Sequence, residues 1–180
     1  MARPPSLVRP VLSFLSVLLL IFAVPAANAQ FHSGDAFVGF SRTGTDTFYP
    51  TVGGLNGWEA SVHFKLKPLL GIEGDFAHYG LGSNASVPRT TTVMAGPRIT
   101  VPLGALSVFA HGLVGGEHSS NSGGFKISES AFSYAVGGGL DVPLAPFFAW
   151  RVQGDRISAP SLSPDGGTPA RLATGIVLRF

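Results

Sequence analysis

From Gly57 to Lys65 apolar and polar side chains alternate without a break: Trp58, Ala60, Val62 and Phe64 share one parity, Glu59, Ser61, His63 and Lys65 the other. A period of two sets the two groups on opposite faces of an extended strand. Laid along the chain, the same template predicts eight strands, at 35–42, 57–65, 69–79, 89–100, 106–117, 129–142, 147–157 and 170–180. Most match the roughly 9–11 residues that a tilted strand needs to cross a bilayer.

The connections alternate in size. Those at 43–56, 80–88, 118–128 and 158–169 are long, and those at 66–68, 101–105 and 143–146 are short. Pro68, Pro102, Pro143 and Pro146 fall in the short ones, where a fixed φ helps a turn. An even strand number with long loops at one end and tight turns at the other is the pattern of an up-and-down barrel in a bacterial outer membrane. The predicted fold is all-β, an eight-stranded antiparallel transmembrane β-barrel.

Parity says which face meets lipid. Val38, Phe40, Ile72, Phe76, Val93, Ile99, Val108, Val114, Val136, Leu140, Trp150, Val152, Ile176 and Leu178 form the outward set. The opposite set carries Glu59, Lys65, Glu73, Asp75, Arg98, Glu117, Asp141, Arg151, Asp155, Arg171 and Arg179 among many Gly and Ala residues. An Arg or Lys at the lipid midplane costs about 2–4 kcal/mol, so the sorting carries energy. The breaches, Arg42, His78, Arg89 and Arg156, lie at the long-loop ends of their strands, where that cost fades. A soluble secreted barrel that binds a ligand shares the period with the apolar face turned inward, and would show dense Lys and Glu on the other face.

Because eight strands enclose little more than their own side chains, the inward ions are expected to be structural. Glu59, Glu73, Asp75, Arg98, Arg151, Asp155 and Arg171 are assigned to one mutually neutralising lumen network, since unpaired buried charge is costly. His63 and His111 share that parity as satisfied lumen groups. Aromatic residues are expected in two belts: Phe64, Phe147, Phe148, Trp150 and Phe180 at the tight-turn end, Phe40, Trp58, Phe76 and Phe132 at the other. Trp58 and Trp150 are expected to keep wet N–H groups. Pro97 cannot donate to a ladder, so a bulge is expected near Gly96 and Pro97, while Gly137, Gly138 and Gly139 mark strand curvature.

Composition narrows the classes further. The chain of 180 residues is 45% hydrophobic and 12% charged, with 24 Gly and no Cys, which excludes a disordered chain, a disulfide scaffold and thiolate metal sites. The formal net charge of +2 resides in a leader: Arg3 and Arg9 precede an apolar run from Val11 to Val24 and a small-residue triplet, Ala27-Asn28-Ala29. Residues 1–29 are read as a cleavable signal peptide and 30–180 as the barrel domain, with an uncleaved anchor as the alternative. The remainder balances, so no nucleic-acid partner is expected. The histidines show no ligand spacing, and no metal or cofactor is expected. Asn84-Ala85-Ser86 has the form of a glycosylation site and would stay bare in a bacterium.

The segments Leu55-Asn56-Gly57-Trp58, Gly71-Ile72-Glu73-Gly74-Asp75, Ala95-Gly96-Pro97-Arg98, Phe109-Ala110-His111, Gly137-Gly138-Gly139-Leu140-Asp141 and Ile176-Val177-Leu178-Arg179-Phe180 resemble those of small bacterial outer-membrane β-barrel domain proteins, most nearly the OmpA-type eight-stranded transmembrane domain. The resemblance implies that Ile176, Leu178 and Phe180 form the signal read by the barrel-assembly machinery. It departs from longer members in lacking a periplasmic cell-wall domain, so cell-wall anchoring is not implied. At the outer rim, Arg42, Arg89 and Arg156 are candidate contacts to lipopolysaccharide phosphates in the outer-membrane lipid. One enzyme alternative arises, because His118-Ser119-Ser120-Asn121 resembles the His-x-Ser-Asn element of outer-membrane lipid A deacylases. That resemblance would make Ser120 the nucleophile, His118 its base and Glu129 the orienting group. The element lies three strands too early and lacks the Asn-Pro-Gly run, so a polar loop is the preferred account. The function expected is therefore structural or interactive, without catalysis, and directed at an unknown extracellular ligand through the four outer loops.

Overall fold

The computed structural model describes residues 33–44, 54–80, 89–121, 127–158 and 168–180, with the backbone alone at 121 and 127–129. The leader and Asn84-Ala85-Ser86 lie outside the described residues. Eight strands follow one another: β1 Gly34–Thr43, β2 Asn56–Lys65, β3 Leu70–Tyr79, β4 Arg89–Leu103, β5 Leu106–Asn121, β6 Ile127–Ala145, β7 Phe148–Ser158 and β8 Ala170–Arg179. Each pairs antiparallel with its neighbour, and β1 closes on β8. No helix among the described residues is long and apolar enough to cross a membrane.

Register fixes the stagger of the barrel. From Phe40, the cross-strand row through Trp58, His78 and Thr91 reaches His118 on β5. Followed the other way through Thr174, Val152 and Leu140, it reaches Val108, ten residues earlier on the same strand. A shear of ten over eight strands tilts every strand against the barrel axis. It also brings inward side chains distant in sequence to one level.

Parity holds throughout. The predicted outward set is exposed or half-buried, and the inward carboxylates and guanidiniums at 59, 73, 75, 98, 141, 151, 155 and 171 are buried. The interior is filled: Phe37, Ala149, Ala173 and Val177 form one apolar cluster, Met94, Leu113, Ala135 and Ile157 another, and Leu55, Ala77 and Tyr79 a third. Both aromatic belts are present, with Phe64 and Phe180 at 6.2 Å and Trp58 and Phe76 at 5.2 Å between centroids. The indole of Trp150 has a protein partner. It donates to Thr174 Oγ1 at 2.8 Å, a partner it needs if the ring faces hydrocarbon.

Several expectations fail at strand ends. Pro102 and Pro143 lie inside β4 and β6, leaving two-residue turns at 104–105 and 146–147, the first led by Gly104 with φ of 64°. His118 to Asn121 are not loop residues, because β5 continues and pairs Ser119 with Glu129, Ser120 with Ser128 and Asn121 with Ile127. No bulge forms at Pro97. Pairing on the β4–β5 side lapses over Gly96 and Pro97 and resumes in the same register, while the β3 ladder runs through Pro97 opposite Ile72. The missing donor therefore faces only β5. The register shift that does occur lies between Pro143 and Ala145.

Gly39 and Gly175 face each other where β1 meets β8. A Cβ on Gly175 would run into the Val38 carbonyl and the Gly39 Cα, both backbone. Gly175→Val is expected to destabilise the barrel by about 1–3 kcal/mol through overpacking, read as a lower urea midpoint in phospholipid vesicles.

Candidate functional site

The interior ions form one continuous array. Arg151 lies at its centre, with Nε on Asp141 Oδ1 at 2.7 Å and one terminal nitrogen shared between Asp141 Oδ2 at 2.9 Å and Asp35 Oδ1 at 2.8 Å. Arg98 adds longer contacts, 3.2 Å to Asp35, 3.5 Å to Glu73 and 3.6 Å to Asp141. Its guanidinium stacks 3.8 Å over the Phe109 ring, which Arg151 approaches at 4.6 Å. Arg171 grips Asp155 through Nε at 2.7 Å, reaches Asp75 at 2.7 Å and stands 3.4 Å from Glu59.

His111 joins the two halves. Its Nδ1 meets Glu73 Oε2 and its Nε2 meets Asp155 Oδ1, each at 2.8 Å. With both carboxylates ionised, only a ring carrying protons on both nitrogens satisfies the two bonds. Uncharged groups complete the array: Ser61 donates to Glu73 at 2.9 Å, Ser41 to Glu59 at 3.2 Å, and Gln153 donates to Glu59.

All seven residues assigned to the network from the sequence are thus brought together. Asp35 and Gln153 were missed, and Asp141, His63 and His111, though placed inside, were not recognised as members. Asp35 is the largest omission, since it binds His63, Arg98 and Arg151 at once. Its signal was present in the inward parity of Asp35, Phe37, Gly39 and Ser41. The enlarged array holds six carboxylates against three guanidiniums, with His63 and His111 hydrogen-bonded among the carboxylates.

The rim arginines are all exposed but do not gather. Arg42 and Arg156 flank β8, opposite Leu172 and Ala170, whereas Arg89 stands on β4, three strands from either. His118 Nδ1 lies 2.8 Å from Ser130 Oγ across the strand. Glu129 is described at the backbone only, opposite Ser119. Around Thr91, Val93, Gly116, His118, Ser130 and Phe132 the outer wall carries an open groove of about 360 Å³.

Solved structures share this architecture. The barrel is similar to Ail, the attachment invasion locus protein of Yersinia pestis, at 21% identity and a TM-score of 0.57 over 82% of this chain and 98% of that one. Ail has also been solved in complex with the heparin analogue sucrose octasulfate. Neisserial surface protein A matches with a TM-score of 0.62 at 11% identity, over 82% and 96% of the two chains. The N-terminal β-barrel domain of Pseudomonas aeruginosa OprF matches with 0.60 at 12%, over 82% and 97%. A search of curated protein sequences finds no match. With closure, parity and register established and the model of the outer membrane protein beta-barrel domain matching residues 14–173, the chain belongs to that family and is an outer-membrane β-barrel.

Proposed function

We propose that the protein is a non-catalytic barrel with a sealed lumen, working at the cell surface through its four extracellular loops. One observation carries this reading: the three lumen arginines, Arg98, Arg151 and Arg171, have no exposed surface and are held among buried carboxylates. An interior occupied in this way supports the loops and leaves no wide path for solute. In the same reading residues 1–29 are removed on export, Ile176, Leu178 and Phe180 address the chain to the assembly machinery, and Arg42, Arg89 and Arg156 meet lipopolysaccharide phosphates.

The Ail complex makes a sulfated polyanion a reasonable first extracellular probe. Liposomes carrying the folded protein are expected to swell in small sugars no faster than empty ones, and whole cells expressing it to retain sucrose octasulfate above cells without it. Swelling at a porin-like rate would overturn the sealed lumen. Lipopolysaccharide association unchanged by the combined substitutions Arg42→Gln, Arg89→Gln and Arg156→Gln would remove the rim contacts.

A further inference from the structure

At the tight-turn end, which faces the periplasm, the lumen opens into a polar recess of about 150 Å³, the volume of some five waters. Lys65 closes β2 and Arg179 closes β8, both on the inward parity and half-buried, and both line the recess. Among the described residues neither makes an ion pair. Two carboxylates line it from deeper in the barrel. Asp35 stands opposite Arg179 across the β1–β8 seam and Asp141 opposite Ser107 across β5–β6, with 11% and 4% of their side chains exposed. Thr100 Oγ1, on the same lining, is buried and has no hydrogen-bond partner among the described residues.

We infer that this recess binds the zwitterion of a small α-amino acid, its carboxylate at Lys65 and Arg179 and its ammonium toward Asp35 and Asp141. Charge excludes simpler occupants. An anion alone would meet two carboxylates at the inner end, and a cation alone would meet Lys65 and Arg179 at the entrance and Arg98 and Arg151 behind the carboxylates. A ligand carrying both charges, one at each end, is opposed by neither set. The carboxylates can accept its ammonium although arginines already hold them. A carboxylate offers about four acceptor sites, and Asp141 spends two within hydrogen-bond reach, both on Arg151. Asp35 Oδ2 takes only His63. Thr100 Oγ1 adds an uncommitted hydroxyl. The volume admits an ammonium and a carboxylate on one carbon with little side chain, or the same end group on a molecule whose remainder stays in the periplasm. Because the site lies at the opposite end of the barrel from the long loops, its fate does not depend on any loop ligand.

The ligand's own charges give the cleanest test. The folded protein, labelled with nitrogen-15 in dodecyl maltoside, would be titrated with alanine while the amide signals of Gly34, Asp35 and Ser107 are followed. Saturable shifts at this end of the barrel are expected, with Lys65→Met and Arg179→Met each raising the half-saturating concentration about tenfold, the effect of losing one charged hydrogen bond. Alaninamide, which lacks the carboxylate, and N-acetylalanine, which lacks the ammonium, are each expected to bind about tenfold more weakly than alanine. Nε-acetyllysine carries the same end group on a longer stem. Its saturation would assign the site to the end of a larger molecule, and saturation by alanine alone to the free amino acid. Both variants should keep the gel shift of a folded barrel, and the analogues test the wild type without them. No saturable shift with either amino acid, half-saturation unchanged in both variants, or alaninamide and N-acetylalanine binding as tightly as alanine would overturn the assignment.

Discussion

Arg151→Met is expected to be among the most damaging single changes in the lumen, lowering unfolding stability in phospholipid vesicles by about 3–5 kcal/mol, the usual cost of leaving a buried charge without its partner. Two carboxylates depend on this side chain, Asp141 through a two-point contact at 2.7 and 2.9 Å and Asp35 at 2.8 Å. Removing the guanidinium leaves both beside Glu73 with only the more distant Arg98, and in Asp35's case His63, to balance them. Arg98→Met should cost less, because its contacts run from 3.2 to 3.6 Å. Lys65→Met, at the half-exposed mouth of the lumen, should fall within about 0.5 kcal/mol of wild type. Adding Asp141→Asn to Arg151→Met should restore part of the loss, because one of the two stranded charges is then gone. Urea titrations followed by tryptophan fluorescence, with boiled and unboiled gel samples to report folding, measure all four. An Arg151→Met barrel as stable as wild type would mean that the array does not hold the lumen together.

Why the sequence revealed the two faces but only part of the array follows from geometry. Facing is a property of one strand, written locally as an alternation, and it can be read wherever the strand is long and regular. Partnership is a property of the closed sheet. Asp35 and Arg151 are separated by 116 positions and meet only because β1 and β7 flank β8 under a shear of ten. No spacing along the chain encodes that meeting. Asp35 was overlooked for a simpler reason, since it opens β1 where the alternation has scarcely begun. At the far end of the β5–β6 hairpin the error ran the other way. His118, Ser119, Ser120 and Asn121 are polar enough to read as loop, yet cross-strand pairing with 127–130 carries them on as strand. Tertiary pairing overrides composition there. Pro97 shows the same priority: a residue that should break a ladder is tolerated because the adjoining hairpin β3–β4 is complete and only two positions facing β5 lapse.

The outward face admits an equally sharp test, based on depth. Val38 lies near the middle of β1, is 59% exposed, and stands between Ala60 on β2 and Ile176 on β8. If acyl chains cover it, Val38→Arg must bring a guanidinium into hydrocarbon, at about 2–4 kcal/mol. Leu172 is just as exposed, at 65%, but begins β8 near the extracellular end, between Arg42 and Gly154. There the side chain reaches headgroups and water, and Leu172→Arg should cost no more than about 1 kcal/mol. Exposure alone cannot separate the two sites, and neither can side-chain volume, since the same residue is introduced at both. Only a surrounding medium whose polarity changes with height distinguishes them. In vesicles the Val38 variant should therefore unfold at distinctly lower urea than the Leu172 variant. Equal, small losses at both positions would place water around the whole wall.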